Sequence, residues 1–403
     1  ILVHVHISGL INNSPCVIPN VQGDLTSTII DENGQSRIVR LLSWMPGRLW
    51  SAVNPINEEL LESLGKQAGL LTSALSDFDQ QVAHRDFDWD IAQASWTSKY
   101  IHLFSDSQKQ IVEHFLGRFE KIHEQYSDLR KSVVHNDVND NNIVVSDDLI
   151  KPKVVSIIDY GDVIHTQTIN DLAITIAYAV MNKEDVLDAS LPIVAGYHIS
   201  FPITENELEL LHPLVAMRLI ISVTKSAINK QEEPENTYLL ISEKPAWDVL
   251  EKWIQIDENF AYYSFRKACG LDAHPNEKQF NDWAKNQSVS LTDLFPTVGK
   301  HEVYLVDMSV ESTWLGNETE YNDNDILAFK LGQLQSKNPD TIIAGGYLEP
   351  RPFYVTDAYS MEGNNGSVSR SVHLGIDFWL PVQTPVHALF DGEVEVAVCS
   401  AGD

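Results

Sequence analysis

Residues 133–162 constrain the fold more than any other stretch. They begin Val133-Val134-His135-Asn136-Asp137-Val138-Asn139-Asp140-Asn141-Asn142-Ile143-Val144-Val145, and after a polar turn continue Val154-Val155-Ser156-Ile157-Ile158-Asp159-Tyr160-Gly161-Asp162. Two short β-branched runs, 142–145 and 154–158, read as strands flanking that turn. A third apolar run ends in the polar loop, and the last strand ends in an Asp followed by a Gly turn. This layout delivers two carboxylates, Asp137 and Asp159, and one amide, Asn142, to one place. Asp- and Asn-rich loops are also ordinary turn chemistry, and Asp140 and Asp162 are read that way, as turn or capping residues.

The rest of the chain supplies a frame for that loop. Asp31-Glu32-Asn33-Gly34 predicts a hairpin turn between Ser27–Ile30 and Arg37–Leu42. The second strand runs into Trp44-Met45-Pro46-Gly47. Apolar residues at helical spacing, Leu60, Leu61, Leu64, Ala68, Leu71 and Leu75, predict a helix over 58–77. Ile111, Phe115, Phe119 and Ile122 mark a second over 107–129. Beyond the loop, helices are expected over 168–182, 184–199, 204–228 and 243–260. Strands first and a helical bulk afterwards predict an α+β protein with two lobes over 1–270. Residues 271–340 are polar and mixed and read as a connecting region with one helix near 324–336. From 341 to 403, Gly, Pro and short alternating runs predict a small, mainly-β module.

Composition limits the partners. The 403 residues carry 57 acidic and 28 basic side chains, a formal charge of −29, which repels nucleic acid and anionic membranes. A solvated acidic surface accounts for most of that surplus; an acidic pocket for a cationic amine is the sharper alternative. No run of 18 apolar residues suggests a membrane span. Cys16, Cys269 and Cys399 are odd in number and far apart, so they form neither a disulfide framework nor a Cys-x-x-Cys metal pair. With no cationic, apolar leader, a reducing, cytoplasmic setting is expected.

Phosphoryl transfer needs the set gathered at 135–159. The attacking hydroxyl must be oriented and relieved of its proton, and the triphosphate charge must be neutralised by Mg²⁺, which prefers carboxylate and amide oxygens. Here the sequence resembles the aminoglycoside phosphotransferase/choline kinase-like family, with its His-Gly-Asp-x-x-x-x-Asn loop and its Ile-Asp-aromatic strand end. Within that family it looks most like the hydroxylysine kinase branch. The resemblance implies a protein-kinase-like fold with a mostly helical second lobe, Asp137 as catalytic base, Asn142 and Asp159 as Mg²⁺ ligands, and His135 as a loop-organising residue. It also implies a nucleotide hinge at Ser43, Trp44 and Met45, with ATP or GTP as donor and a small amino alcohol, such as hydroxylysine or an ethanolamine-like compound, as acceptor. Asp86–Asp90 resembles the family's Trp-Asp element after the first helix, and Asp171-Leu172-Ala173 its helix after the metal-binding Asp. Asn136 stands where the family usually has Gly, a position of positive φ that Asn tolerates.

The first lobe departs from the pattern. Neither a Gly-rich phosphate loop nor a strand Lys is visible, and the first Lys is Lys66, in a predicted helix. The chain opens at Ile1, not Met, so it is expected to begin partway through the smaller lobe, and to transfer phosphate poorly. Arg37 and Arg40 are the alternatives to the Lys, but both precede the hinge closely.

A second constellation lies near the end. His373 and Asp377, four apart in extended chain, are expected on the same side, and His plus carboxylate is a start for zinc. The pattern His373-Leu374-Gly375-Ile376-Asp377, then Thr384-Pro385-Val386-His387-Ala388 and Asp391-Gly392-Glu393-Val394, resembles the lysostaphin-like (LytM-type) zinc metallopeptidases. That implies His373 and Asp377 as zinc ligands, in a module lacking the later His-x-His strand. Zn²⁺ is therefore expected only if the module is complete in a longer protein. The order of the two modules resembles bacterial fusions that continue into an aminotransferase-like domain. Two other readings stand beside the kinase: a zinc peptidase with an accessory kinase-like part, and a non-catalytic scaffold.

Overall fold

The computed structural model describes residues 1–10, 14–233, 236, 242–299, 302–354 and 359–394. Cys399 and the expected β-structure over 395–403 lie outside the described residues. The chain divides into two compact units, Ile1–Glu277 and Lys278–Asp403.

The first unit opens with helix α1 (Leu2–Ser8). Leu2 and Val5, three apart, are buried, and His4 Nε2 lies 3.0 Å from Ala74 O. Strand β1 (Val17–Ile18) pairs antiparallel with β4 (Leu41–Leu42). Between them β2 (Ser27–Ile30) and β3 (Ser36–Val39) form the expected hairpin, with Ser27 opposite Val39. Its turn has a local cause: Asp31 Oδ1 accepts from Asn33 N and Gln35 N at 3.0 and 2.8 Å, and Gly34 takes φ 75°. Arg37 donates to Asp31 Oδ2 at 2.8 Å.

Strand β5 (Arg48–Leu49) leads to α2 (Glu58–Leu75), whose cap is the Asn57 side chain accepting from Leu60 N at 3.0 Å. A 3₁₀ stretch over Ile91–Leu103 follows, capped by Asp90. Next come α3 (Asp106–Lys121), opened by a Ser105/Gln108 capping box, and α4 (His123–Ser127). Four short strands carry the loop of interest: β6 (Lys131–Val134), β7 (Ile143–Val145), β8 (Val154–Ile157) and β9 (Ile164–Gln167). β6 pairs with β9, and β7 lies between β5 and β8, all antiparallel.

The helical bulk is α5 (Asn170–Ala179), α6 (Val186–Ser200), α7 (Glu205–Glu232), α8 (Glu243–Trp253) and α9 (Glu258–Ala268). The single helix expected over 243–260 is two, because Asp257 accepts from Phe260 N at 2.9 Å and starts a new helix. Helices α2 and α6 cross at Gly65 and Gly196, where an added Cβ would collide with the opposing backbone. By length and composition α7 could cross a membrane, but 83% of its apolar window is buried inside the protein.

The core also encloses His212. Its ring stacks on Trp253 at 5.0 Å, and Nε2 lies 3.3 Å from Trp253 O. Burial pushes its pKa from 6.5 down to about 4. Between those values the unfolded chain binds a proton that the folded chain refuses, so stability is full above pH 6.5 and declines as pH falls toward 4. The loss due to this one group at pH 5 is roughly 2 kcal/mol. His212→Leu is expected to remove that part of the acid sensitivity, as read by urea melts at pH 7.5 and pH 5. An unchanged pH slope would refute it.

The second unit contains α10 (Glu277–Lys285), α11 (Leu291–Leu294), β10 (Glu302–Val306), α12 (Glu318–Tyr321) and α13 (Asn324–Lys337). The strands β11 (Thr341–Gly345), β12 (Glu349–Pro350), β13 (Ser360–Gly363), β14 (Gly366–Ser369), β15 (Val372–His373) and β16 (Phe378–Trp379) follow. β10 pairs parallel with β11 and β16 pairs antiparallel on the other side of β11. Val306, Met308, Leu315, Leu331 and Ile343 form its small core. The stretch 271–340, read as connecting with one helix near 324–336, carries α13 there and, besides it, β10 and the short helices α10, α11 and α12. β10 left little hydrophobic mark in the sequence, because every residue of it before Val306 is exposed.

Candidate active site

The loop after β6 is held from below by one side chain. Asp171, in the first turn of α5, accepts from His135 N at 3.0 Å through Oδ2 and from Asn136 N at 2.7 Å through Oδ1. It is fully buried, and burial pushes its carboxyl pKa up against the opposing pull of His135, the two loop amides and Arg218. Asn136 takes φ 65°. Neither its side-chain oxygen nor its nitrogen, both buried, has a hydrogen-bond partner. His135 ties the loop to the neighbouring strand end: Nδ1 accepts from Asp137 N at 3.3 Å and Nε2 lies 3.1 Å from Ile158 O. Those partners call for the proton on Nε2.

Asp137 projects into a nest of donors. Asn139 Nδ2 lies 3.0 Å from each of its carboxylate oxygens. Asn142 Nδ2 donates to Oδ2 at 2.8 Å and to Asp137 O at 2.9 Å. Arg218 Nη2 lies 3.2 Å from Oδ1. Because the Asn142 side-chain nitrogen is committed, its side-chain oxygen Oδ1 is the atom left for a cation. Ile158 N donates to Asn142 O at 2.9 Å, so Asp159 stands one residue beyond the partner of Asn142. Asp159 adopts φ 61° and accepts from Gly161 N at 3.1 Å. The amide oxygen and the carboxylate are hard donors of the type a divalent Mg²⁺ ion takes, and they fit it.

Two cavities meet at this loop. One, of about 540 Å³, has apolar walls that include Leu42, Met45 and Val144, and contains Ser43, Trp44, Arg40 and Asp159. Its expected hinge is braced by Cys16: Ser43 N donates to Cys16 O and Cys16 N to Ser43 Oγ, both at 2.9 Å. The other, of about 260 Å³, is lined by Trp89, Asp137, Asp140, Asp162, Tyr178 and Lys225 among others. Asn141 lines both. Of the basic residues weighed from sequence, Arg37 is taken up by the hairpin turn and Lys66 pairs with Glu62 on its own helix, whereas Arg40 reaches the first cavity.

Asp140 and Asp162, read as turn residues, do lie in turns, and they also line the second cavity. Burial raises the pKa of both, and the charge of Asp137 adds to the rise; for Asp162, Arg218 and Arg85 oppose it. Each follows its neighbouring site carboxylate, Asp137 or Asp159, by three residues, and that common interval was a usable signal. Asp171 was noticed only as part of a helix motif, and Arg218 was missed.

In the second unit His373 and Asp377 do approach, with Nε2 and Oδ2 3.3 Å apart. The expected cause is corrected: β15 ends at His373 and β16 begins at Phe378, so a turn brings the pair together, not the two-residue period of one strand. Tyr354 Oη lies 2.8 Å from His373 Nδ1. Arg351, 3% exposed, holds Asp377 Oδ2 at 2.7 Å and Glu349 Oε2 at 2.9 Å. Among the described residues, no group of three or more His, Cys, Asp or Glu side chains gathers as a metal site would require. The His387 backbone N–H donates to Leu294 O at 2.9 Å.

Comparison with known proteins agrees with the first unit's geometry. Residues 19–202 match the profile described as "Phosphotransferase enzyme family". The hydroxylysine kinase of Mus musculus is 30% identical over 270 residues, covering 62% of this chain and 70% of that protein. The hydroxylysine kinase of Danio rerio is 27% identical over 266 residues, covering 60% and 75%. Among solved structures, the microcompartment-associated aminopropanol kinase aligns over 63% of this chain and 82% of its own, at 14% identity and a TM-score of 0.48. With 70% of the Mus musculus kinase matched at 30% identity, the chain belongs to the phosphotransferase enzyme family, as one of its small-molecule kinases.

Proposed function

We propose that the first unit moves the γ-phosphate of ATP or GTP to the hydroxyl of a small amino alcohol of the hydroxylysine or ethanolamine kind. The observation that carries this reading is the meeting of the two cavities at Asn141, the smaller one rimmed by Asp137, Asp140 and Asp162. Three carboxylates around a small cavity suit an acceptor with an ammonium group. The matched relatives, named for hydroxylysine, are consistent with such an acceptor.

In this reading Ser43, Trp44 and Met45 meet the nucleotide base. Asn142, through its side-chain oxygen, and Asp159, through its carboxylate, would hold Mg²⁺, which when bound neutralises phosphate charge. Asp137 accepts the hydroxyl proton as the oxygen attacks phosphorus, its carboxylate kept in one orientation by Asn139, Asn142 and Arg218. Asp140 and Asp162 receive the acceptor's ammonium, and His135 and Asp171 keep the loop in register with β8.

The test is nucleotide turnover by the purified protein with ATP and with GTP, over a panel of amino alcohols and their deaminated analogues. Turnover that requires both the hydroxyl and the amine is expected. A folded protein that turns over no member of the panel would sink the reading.

A zinc peptidase reading rests on one observation, the buried His373 Nε2 that makes no hydrogen bond yet faces Asp377. Two ligands, one already held by Arg351, do not fit firm zinc binding. The purified chain is expected to carry no stoichiometric zinc by elemental analysis. One zinc per chain, lost in His373→Ala, would overturn that expectation and revive the peptidase.

A further inference from the structure

In the reading above Arg218 is only one of three side chains that orient Asp137, yet its placement is costly. It sits in the apolar middle of α7 between Met217 and Leu219 and is only 1% exposed. A buried guanidinium is tolerated only when paired and hydrogen-bonded. Here the pairing is directed at one place. Nη1 donates to Trp89 O at 2.8 Å, Nη2 reaches Asp137 Oδ1 at 3.2 Å, and Nε is buried without a partner. The guanidinium carbon lies 4.8 Å from the Trp89 ring centre and 5.5 Å from that of Tyr178. Trp89, Asp137 and Tyr178 all line the smaller cavity. One side chain thus stands behind the cavity wall and touches three of the residues that shape it.

We propose that Arg218 is a positioning residue for the acceptor side of the reaction, fixing the direction of the Asp137 carboxylate and the Trp89–Tyr178 wall together. The inference rests on the kinase reading. The fork geometry explains why Arg stands here: its planar, five-donor head bonds a carbonyl and a carboxylate at once while lying against two rings. A Lys would bring the charge and three donors, but all on one nitrogen, so it could not span the carbonyl and the carboxylate as the fork does or lie flat against two rings. The nucleotide cavity is lined by none of the residues Arg218 touches, so a positioning role predicts an effect confined to the acceptor and to the transfer step.

The experiment is steady-state kinetics of Arg218→Gln and Arg218→Lys beside the wild type, with the nucleotide and the acceptor each varied. For Arg218→Gln, kcat is expected to fall about tenfold to a hundredfold and the acceptor KM to rise severalfold, while the nucleotide KM stays within about twofold. Arg218→Lys should recover part of kcat and little of the acceptor KM. A folded Arg218→Gln protein with wild-type kcat and acceptor KM overturns the proposal. So does a nucleotide KM that moves in step with the acceptor KM, which marks a general structural role. If the Gln variant does not fold, the Lys variant decides: lowered kcat with unchanged nucleotide KM supports the role, and wild-type kinetics reject it. A wild type that phosphorylates no amino alcohol is a separate failure, of the kinase reading itself, and this proposal falls with it.

Discussion

Replacing Asp137 with Asn is expected to lower kcat by about 10²–10⁴-fold, the range a positioned general base contributes, with the nucleotide KM little changed. The geometry explains why so small a change is severe. Asp137 offers two oxygens to donors that approach both, namely the Asn139 and Asn142 amides and Arg218. An Asn amide presents one oxygen and one NH₂, so at least one of those donors meets another donor. Stability should also fall, by about 2 kcal/mol, because the buried Arg218 then faces a neutral group. Kinetics of the variant with the acceptor identified for the wild type, and a urea melt, check both parts. A kcat within about tenfold of wild type would mean that proton removal is not the task of Asp137.

The second large effect is expected at a residue that touches neither cavity. Asp171→Ala removes the acceptor of two backbone N–H groups, those of His135 and Asn136. Each orphaned buried donor costs about 1–3 kcal/mol, partly offset because a buried carboxylate is no longer desolvated. A net loss of roughly 2–4 kcal/mol is expected. The loop it releases carries Asp137 and Asn142, so kcat should drop by about 10²-fold through misplacement alone. Asp171→Asn makes the comparison informative. It keeps the shape but turns an NH₂ toward one of the two amides, so it should lie between wild type and Ala in stability. Denaturant melts and kinetics of both variants decide the matter, and an Ala variant with wild-type stability would show that the loop does not hang on this side chain.

How much of this could be read before the chain was folded depends on the range of the interaction. The loop at Asp137–Asn142 was legible because its hydrogen bonding is local: Asp137, Asn139 and Asn142 lie within five residues, and both amides bond Asp137. The amphipathic helices were legible for the same reason, since a 3.6-residue period is a local property. The hairpin at Asp31–Gly34 was set by an Asp that bonds amides two and four residues on. The polar stretch around β10 read as a connection because an exposed strand carries little hydrophobic signal, although its backbone pairs fully with β11.

The sequence by itself determined the cluster at Asp137–Asn142, the two strand ends beside it, and the family to which the chain belongs, because each depends on residue types at short spacing. Only the tertiary structure decided which charges meet. Arg218 reaches Asp137 across 81 residues, and Asp171 reaches the loop across 35 and 36. It also decided that Asp140 and Asp162 rim a cavity and do not merely cap turns. Hydrogen bonds between near neighbours are written in the chain's local order, whereas the partner of a buried ion is chosen by the packing of α5 and α7 around the loop, and a lone Arg in an apolar helix carries no local mark of the carboxylate it will meet.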